Sequence, residues 1–396
     1  MTKNNHNKGS TLKELLKVDE SGRIATFYGF LPIESPQITK EDSSAGKDLD
    51  SNWRCVEKAS IMREFSEVKT NASGKFLPQP LCLFMEHPFP GSSERRKAGR
   101  LEYEISILGS NRSVCESLII QTAKALLEAN GWKNLALRIN SVGGRESVSD
   151  FERKMANFIR KRMDDFPSEL RQNLKKDLFY LARSKDEKYK EWRECAPQSV
   201  DCLSEQSRLH LKEILEFLET MEIPYVFDST LLGEIKISTE VVFEIVSEGG
   251  EGEVLARGCR MNRLSKRLQL KKEVPAVSVS VSAKAVKNLK TSTIKNTKHN
   301  FFLVQFGPEA KQKSFIALEE LRKSGVPILH SLAKDKLTNQ MYSVEQSSTE
   351  YIILIGQKEA LENVAVIRHT STRAQYTVPI KELGEFIKKT AEFKIK

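Results

Sequence analysis

The sequence predicts an α+β protein in two parts: a large mixed domain over residues 23–290 and a small α/β domain over 300–396. A polar tail at 1–22 precedes them and a basic linker at 291–299 joins them. Three stretches carry this prediction. Val274-Pro-Ala-Val-Ser-Val-Ser-Val-Ser282 alternates apolar and small polar residues with a period of two, the pattern of a strand with one face in a core. Residues from about 150 to 220 are helical in pattern and strongly charged. From residue 300 onward, short apolar runs alternate with amphipathic helical ones, which implies a small sheet covered by helices.

The totals set the class. With 396 residues and 39% hydrophobic content, the chain can bury one or two sizeable cores. A net charge of +10 and a pI near 9.1 fit a polyanionic partner, nucleic acid foremost, because released counterions drive such binding. A basic protein with no nucleic-acid role stays open on charge alone. Cys55, Cys82, Cys115, Cys195, Cys202 and Cys259 include no C-x-x-C pair, and the histidines show no ligand spacing, so neither disulfides nor a metal site is expected. The thiols read as reduced, in a cytoplasmic protein. No apolar run approaches the about 18 residues of a membrane span, and the N-terminus lacks the apolar core of a signal peptide.

In chain order, a short amphipathic helix is expected at 11–17, then at 24–38 a helix end, Gly29 and a proline-bounded strand. A polar loop leads to a helix over Trp53–Phe65. Pro78–Gly109 reads as two apolar strands around a basic loop containing Arg95, Arg96, Lys97 and Arg100, a polyanion site or a solvated loop. Val114–Asn130 has apolar residues at helical spacing and stops at Asn130-Gly131, followed by a strand over Leu135–Gly143. After this charged helical stretch come a strand, a loop and a strand over Ile223–Ile245, then a hairpin into Leu255–Leu264. Arg257, Arg260, Arg263, Lys266, Arg267, Lys271 and Lys272 form a basic run without a carboxylate. A helix over Met261–Leu270 would place Arg263, Lys266 and Arg267 on one face, for phosphate contact or as a solvated surface. The strand at 274–282 turns helical over Ala283–Leu289. In the last domain, strands are expected at 301–306, 325–329, 351–355, 364–367 and 375–379. Helices are expected after Gly307-Pro308, at about 334–345 and at 380–394.

Several of these segments resemble histidyl-tRNA synthetases, members of the class II aminoacyl-tRNA synthetases. The resemblance rests on Ile139-Asn-Ser-Val-Gly143, Ala196-Pro-Gln198, Leu203–His210, Val242-Phe-Glu-Ile245, Gly356-Gln-Lys-Glu359 and Arg368–Gln375, in the family's order and spacing over 23–396. It implies an antiparallel catalytic-type sheet with a helical insertion, a small α/β anticodon-binding-like domain, a homodimer built on the segment around Gly29 and Pro36, and tRNA as partner. Candidate RNA contacts are Arg263, Lys266, Arg267, Gln340, Arg368, Thr372, Arg373 and Gln375.

The same resemblance implies that the chemistry has been removed. Where the family binds the substrate ammonium this chain has Val56 and Lys58, and Pro88 or Ser92 replaces an arginine on the ATP α-phosphate. Gly233 replaces an arginine on the adenylate, and Ile237 and Ser238 replace two pocket tyrosines. Gly258 and Arg260 persist, but Cys259, Met261 and Asn262 fill neighbouring ligand positions. Ser278, Ser282 and Ala285 replace two glycines and an arginine at the triphosphate. Losing one charge-stabilising group typically costs about two to three orders of magnitude in rate. The implied protein is a tRNA-binding paralogue, inactive or strongly impaired. Arg54, Arg100 and Arg260 are the weak catalytic candidates that survive, and no cofactor is expected. Two alternatives stand: a divergent histidine-tRNA ligase with ATP and Mg, using Arg54, Arg63, Arg100 or Arg260 in displaced registers, and a regulatory subunit of histidine biosynthesis. The apparent presence of the last domain argues against the second.

Overall fold

The computed structural model describes residue 15 and residues 17–68, 79–92, 99–247, 252–286, 292–293, 300–390 and 393. Most of the helix expected at 11–17, the cluster Arg95, Arg96 and Lys97, most of the linker and residues 287–289 of the helix expected at 283–289 lie outside these residues.

Strand β1 (Lys17–Val18) leads into α1 (Glu20–Phe27), whose cap Asp19 accepts a hydrogen bond from the Gly22 amide at 2.9 Å. Next come β2 (Leu31–Pro32), α2 (Lys40–Ala45), opened by a capping box between Thr39 and Asp42, and α3 (Cys55–Phe65). Strands β3 (Leu81–Glu86) and β4 (Arg100–Leu108) precede α4 (Ser113–Ala129), an almost wholly buried helix that ends at Asn130-Gly131 as expected. After β5 (Leu135–Gly143) come α5 (Arg145–Arg162), α6 (Ser168–Lys176), α7 (Tyr180–Arg183), α8 (Lys190–Cys195) and α9 (Glu205–Thr220). The insertion has a core of its own around Phe151, Phe166, Phe179 and Tyr189.

The domain closes with β6 (Tyr225–Phe227), β7 (Thr239–Ser247), β8 (Val254–Arg260), α10 (Leu264–Arg267) and β9 (Ala276–Lys284); β10 (Ser292–Thr293) pairs with β1. Eight strands form one sheet in the order β2-β3-β4-β9-β8-β7-β5-β6, antiparallel except for the outer pairs β2–β3 and β5–β6. Gly258 on β8 has no room for a side chain: an added Cβ would lie 2.1 Å from the Phe243 ring on β7.

Two expectations need correction. Ala283 and Lys284 continue β9 instead of starting a helix, paired with Leu101 and Arg100 of β4. The helix expected over Met261–Leu270 shortens to Leu264–Arg267.

The last domain runs β11 (Phe301–Gln305), α11 (Pro308–Lys323), β12 (Ile328–His330), α12 (Leu337–Ser347), β13 (Tyr351–Ile355), α13 (Gln357–Glu362), β14 (Val364–His369), β15 (Gln375–Pro379) and α14 (Leu383–Lys389). Its sheet order is β12-β11-β13-β14-β15, with β11 parallel to β12 and β13 and the outer hairpin antiparallel. Pro308 opens α11, where its missing N–H costs nothing, and Ala310, Ala317, Leu318 and Leu321 are buried as the periodicity predicts. The two domains share one apolar core. Phe315 of α11 packs on Phe217 of α9 with ring centroids 5.2 Å apart, and Tyr28 donates to Glu319 at 2.7 Å.

Candidate functional site

Helix α3 lies against the sheet and brings Lys58 over β4 and β9. The Lys58 ammonium is fully buried, 2.9 Å from a Glu104 carboxylate oxygen and 2.6 Å from the Ser280 hydroxyl. Ser280 donates to the other Glu104 oxygen at 2.6 Å, Ser278 donates to Glu104 as well, and His87 Nε2 stands 3.4 Å away. Burial alone would raise the Glu104 pKa, but Lys58, His87 and Ser278 hold it well below the usual carboxylate range. A buried charge pair persists only when geometry and added hydrogen bonds offset desolvation, and here the serines complete both partners. Ser278 and Ser280, read as the polar face of a half-buried strand, are thus buried too.

At the outer end of this cluster, Arg54 donates to Glu102 at 3.0 Å, and Arg100 donates to the Ser282 carbonyl and hydroxyl at 3.1 Å each. These two catalytic candidates therefore meet beside one strand end. The opening there, lined by Arg54, Arg257, Ser280 and Ser282 among others, is about 190 Å³. An adjoining hollow of about 220 Å³ is lined by Gly233, Asp228, Glu244 and Arg257. Gly233 has φ +60°, and an added Cβ would lie 2.8 Å from Val242 and 2.9 Å from Ser238, so its surroundings admit no side chain without moving. Ile237 and Ser238 are completely buried. Arg63, also retained, turns away from the cleft and binds both Asp42 oxygens at 2.9 Å.

The third candidate requires a correction. Arg260 is buried away from the opening, binds the Glu116 carboxylate through two 2.6 Å hydrogen bonds, and donates to the Ser110 carbonyl at 2.7 Å. His210 closes the group at 2.9 Å from Glu116. Burial opposes the Glu116 charge, yet Arg260 and His210 lower its pKa to about 2. Burial likewise opposes protonation of His210, but Glu116 raises its pKa on balance. Arg260 is a structural cation that fixes the loop after β4.

Two more arginines of the basic run are tied to the protein's own backbone, while Lys271 and Lys272 are exposed. Arg263 donates to the Ile235 carbonyl at 3.1 Å, and Arg267 donates to the carbonyls of Ala45 at 2.6 Å and Lys47 at 2.8 Å, at the end of α2. Lys266 alone of the three is exposed. Gln340 is fully buried and engaged with Gln305 and Lys334, so RNA cannot reach it. Arg368, Thr372, Arg373 and Gln375 are all exposed on the β14–β15 hairpin, where Arg368 and Gln375 stand directly opposite each other. Helix α12 covers Phe302 and Val304 on this face of the sheet. Beyond it, Arg368 and Gln375 continue the cross-strand row of Phe302 and Ile352, and Thr377 that of Val304, Leu354 and Val366, onto open strands.

Residues 301–390 match the anticodon binding domain family. Over 340 residues the chain is 24% identical to the histidine–tRNA ligase of Geobacillus thermodenitrificans, which covers 83% of this chain and 79% of the relative. Over 376 residues it is 24% identical to that of Wolbachia pipientis subsp. Culex pipiens, covering 89% and 90%. The chain is thus similar to histidine–tRNA ligases over most of its length. The apo S. aureus histidyl-tRNA synthetase aligns with it over 93% of each chain at 19% identity and a TM-score of 0.49. Sequence reasoning missed Glu104, Glu102, His87 and Glu116 as partners of the retained cations. The signal was available for one of them: Glu104 interrupts the apolar run of β4, as Lys58 does the buried side of α3.

Proposed function

We propose that this histidyl-tRNA-synthetase-like chain binds tRNA, as a cytoplasmic homodimer, without normal aminoacylation. The carrying observation is the Lys58–Glu104 pair. An ammonium and a carboxylate of the protein neutralise each other in the cleft, at the position where the resemblance expects a substrate ammonium. The space that remains is divided into an opening of about 190 Å³ and an adjoining hollow of about 220 Å³, each below the about 300–1,000 Å³ typical of ligand pockets. The packing around Gly233 supports the same reading, since the backbone there leaves no room for a charged side chain on that residue without a shift of Val242 or Ser238. The match to an anticodon binding domain and the exposed Arg368, Thr372, Arg373 and Gln375 support RNA as the partner.

One observation favours a second reading. Arg54 and Arg100 converge on Glu102 and Ser282, so a divergent ligase that handles ATP and Mg in a displaced register would find two arginines in place. Filter binding of a tRNA transcript over 50–200 mM salt tests the RNA half of the proposal. Affinity should fall steeply and linearly on log–log axes. Absence of binding at the lowest salt would overturn it.

A further inference from the structure

Between the two domains runs a groove of about 560 Å³ that the proposed function leaves unused. One wall is the loop after β4, with Gly109, Ser110, Asn111 and Arg112, and the other is the segment into α12, with Lys334, Asp335, Lys336, Asn339 and Tyr342. Both walls are fixed from behind. The buried Arg260 holds the carbonyls of Ser110 and Arg112, and Asn262 donates to Asn111 at 2.9 Å. On the other side, Gln305 and Gln340 donate to the Lys334 carbonyl at 3.0 and 3.1 Å. Arg112 spans the groove to Asp335 at 2.6 Å.

The charge in the groove is unbalanced. Among its lining residues, Arg112, Lys334 and Lys336 face one carboxylate, Asp335, which also pairs with Lys311. Among the described residues, neither Lys334 nor Lys336 has a carboxylate at ion-pair distance, and the Lys334 ammonium rests on the Ser343 hydroxyl at 2.7 Å. Burial lowers its pKa, so an incoming anion would relieve a desolvated cation. Beside these lysines Tyr342, 62% exposed, offers an aromatic ring to the same space. Cations beside an exposed ring match a phosphate attached to a base, since every base can stack through its π-face.

We propose that this groove binds a ribonucleotide, its phosphate on Lys334 and Lys336 and its base against Tyr342. Gln340 and Arg260 are positioning residues for the two walls. The nucleotide is either free or one unit of an RNA strand, and two measurements on the full chain separate the sources. The first is calorimetric titration with AMP. The second is ultraviolet crosslinking of a 4-thiouridine-substituted tRNA transcript, with mapping of the crosslinked peptides. For a free nucleotide, AMP binds, the Lys334→Met/Lys336→Met pair weakens it at least tenfold, and Tyr342→Ala weakens it at least threefold. For an RNA unit, AMP binding is undetectable and the transcript crosslinks to residues 334–342, a crosslink lost in the same variants. The AMP measurement stands whether or not the chain binds tRNA. Failure of both overturns the proposal. So does binding of inorganic phosphate as tight as that of AMP with no effect of Tyr342→Ala.

Discussion

In the cleft of the large domain, Lys58, Glu104, Ser278 and Ser280 bond to one another, and Arg54 and Arg100 reach Glu102 and Ser282. On the β14–β15 hairpin of the small domain, Arg368, Thr372, Arg373 and Gln375 face solvent. Both sets are polar, and Lys58, Ser278, Ser282, Arg54 and Arg100 in the first and all four residues of the second stand where the family resemblance points to function. Internal pairing converts the first set into core, while exposure leaves the second free to meet a partner. A substitution should therefore change stability in the cleft and RNA affinity on the hairpin.

The largest expected effect is at Lys58. Lys58→Met leaves the Glu104 carboxylate buried without its counter-charge, which should lower stability to urea by about 3–5 kcal/mol. Adding Glu104→Leu should recover most of that loss, because a packed apolar pair can replace a buried ionic one. A single variant as stable as the parent would remove the distinction between the two regions.

Acid unfolding gives the next. The folded-state pKa of Glu116 is depressed, so its contribution is present above the ordinary value near 4.5 and is lost as pH falls toward about 2. His210 has the opposite sign: its raised pKa contributes stability that is complete below the ordinary 6.5 and disappears as pH rises through the folded value. Urea midpoints of the parent should exceed those of Glu116→Gln by a margin that shrinks at both ends of the pH range. A margin independent of pH would contradict the buried Arg260–Glu116–His210 group.

Arg267 and Arg373 sharpen the contrast. Arg267→Ala removes two bonds to the Ala45 and Lys47 carbonyls and should cost about 1–3 kcal/mol of stability with unchanged tRNA affinity in the folded protein. For Arg373→Ala, stability should stay within about 0.5 kcal/mol while tRNA affinity falls about three- to tenfold. Lys266→Ala should give the smallest change, a salt-dependence slope lower by about 1 if that exposed ammonium meets a phosphate.

Periodicity located most strands and helices because apolar spacing reports which face is covered. It failed where polar residues are buried in mutual satisfaction. Ser278 and Ser280 look like a solvent face in sequence, and only the arrival of Lys58 and Glu104 from α3 and β4 shows otherwise. For the same reason Gln340, Arg260, Arg263 and Arg267 read as ligand groups, since they bond to groups far away in the chain, such as the carbonyls of Gln305, Ser110, Ile235 and Ala45. The hairpin residues Arg368, Thr372, Arg373 and Gln375 stay exposed, with no such burial to hide them from local pattern. The strand at Ala283 and Lys284 was misread because its extension depends on β4, not on local propensity.

The central claim is that the cleft is occupied by the protein's own charges. Histidine-dependent ATP–pyrophosphate exchange tests it most directly, on a preparation that retains tRNA in filter binding. The account predicts exchange no faster than without histidine. Exchange at the rate of an active histidine–tRNA ligase would contradict it and make Arg54 and Arg100 the first residues to substitute.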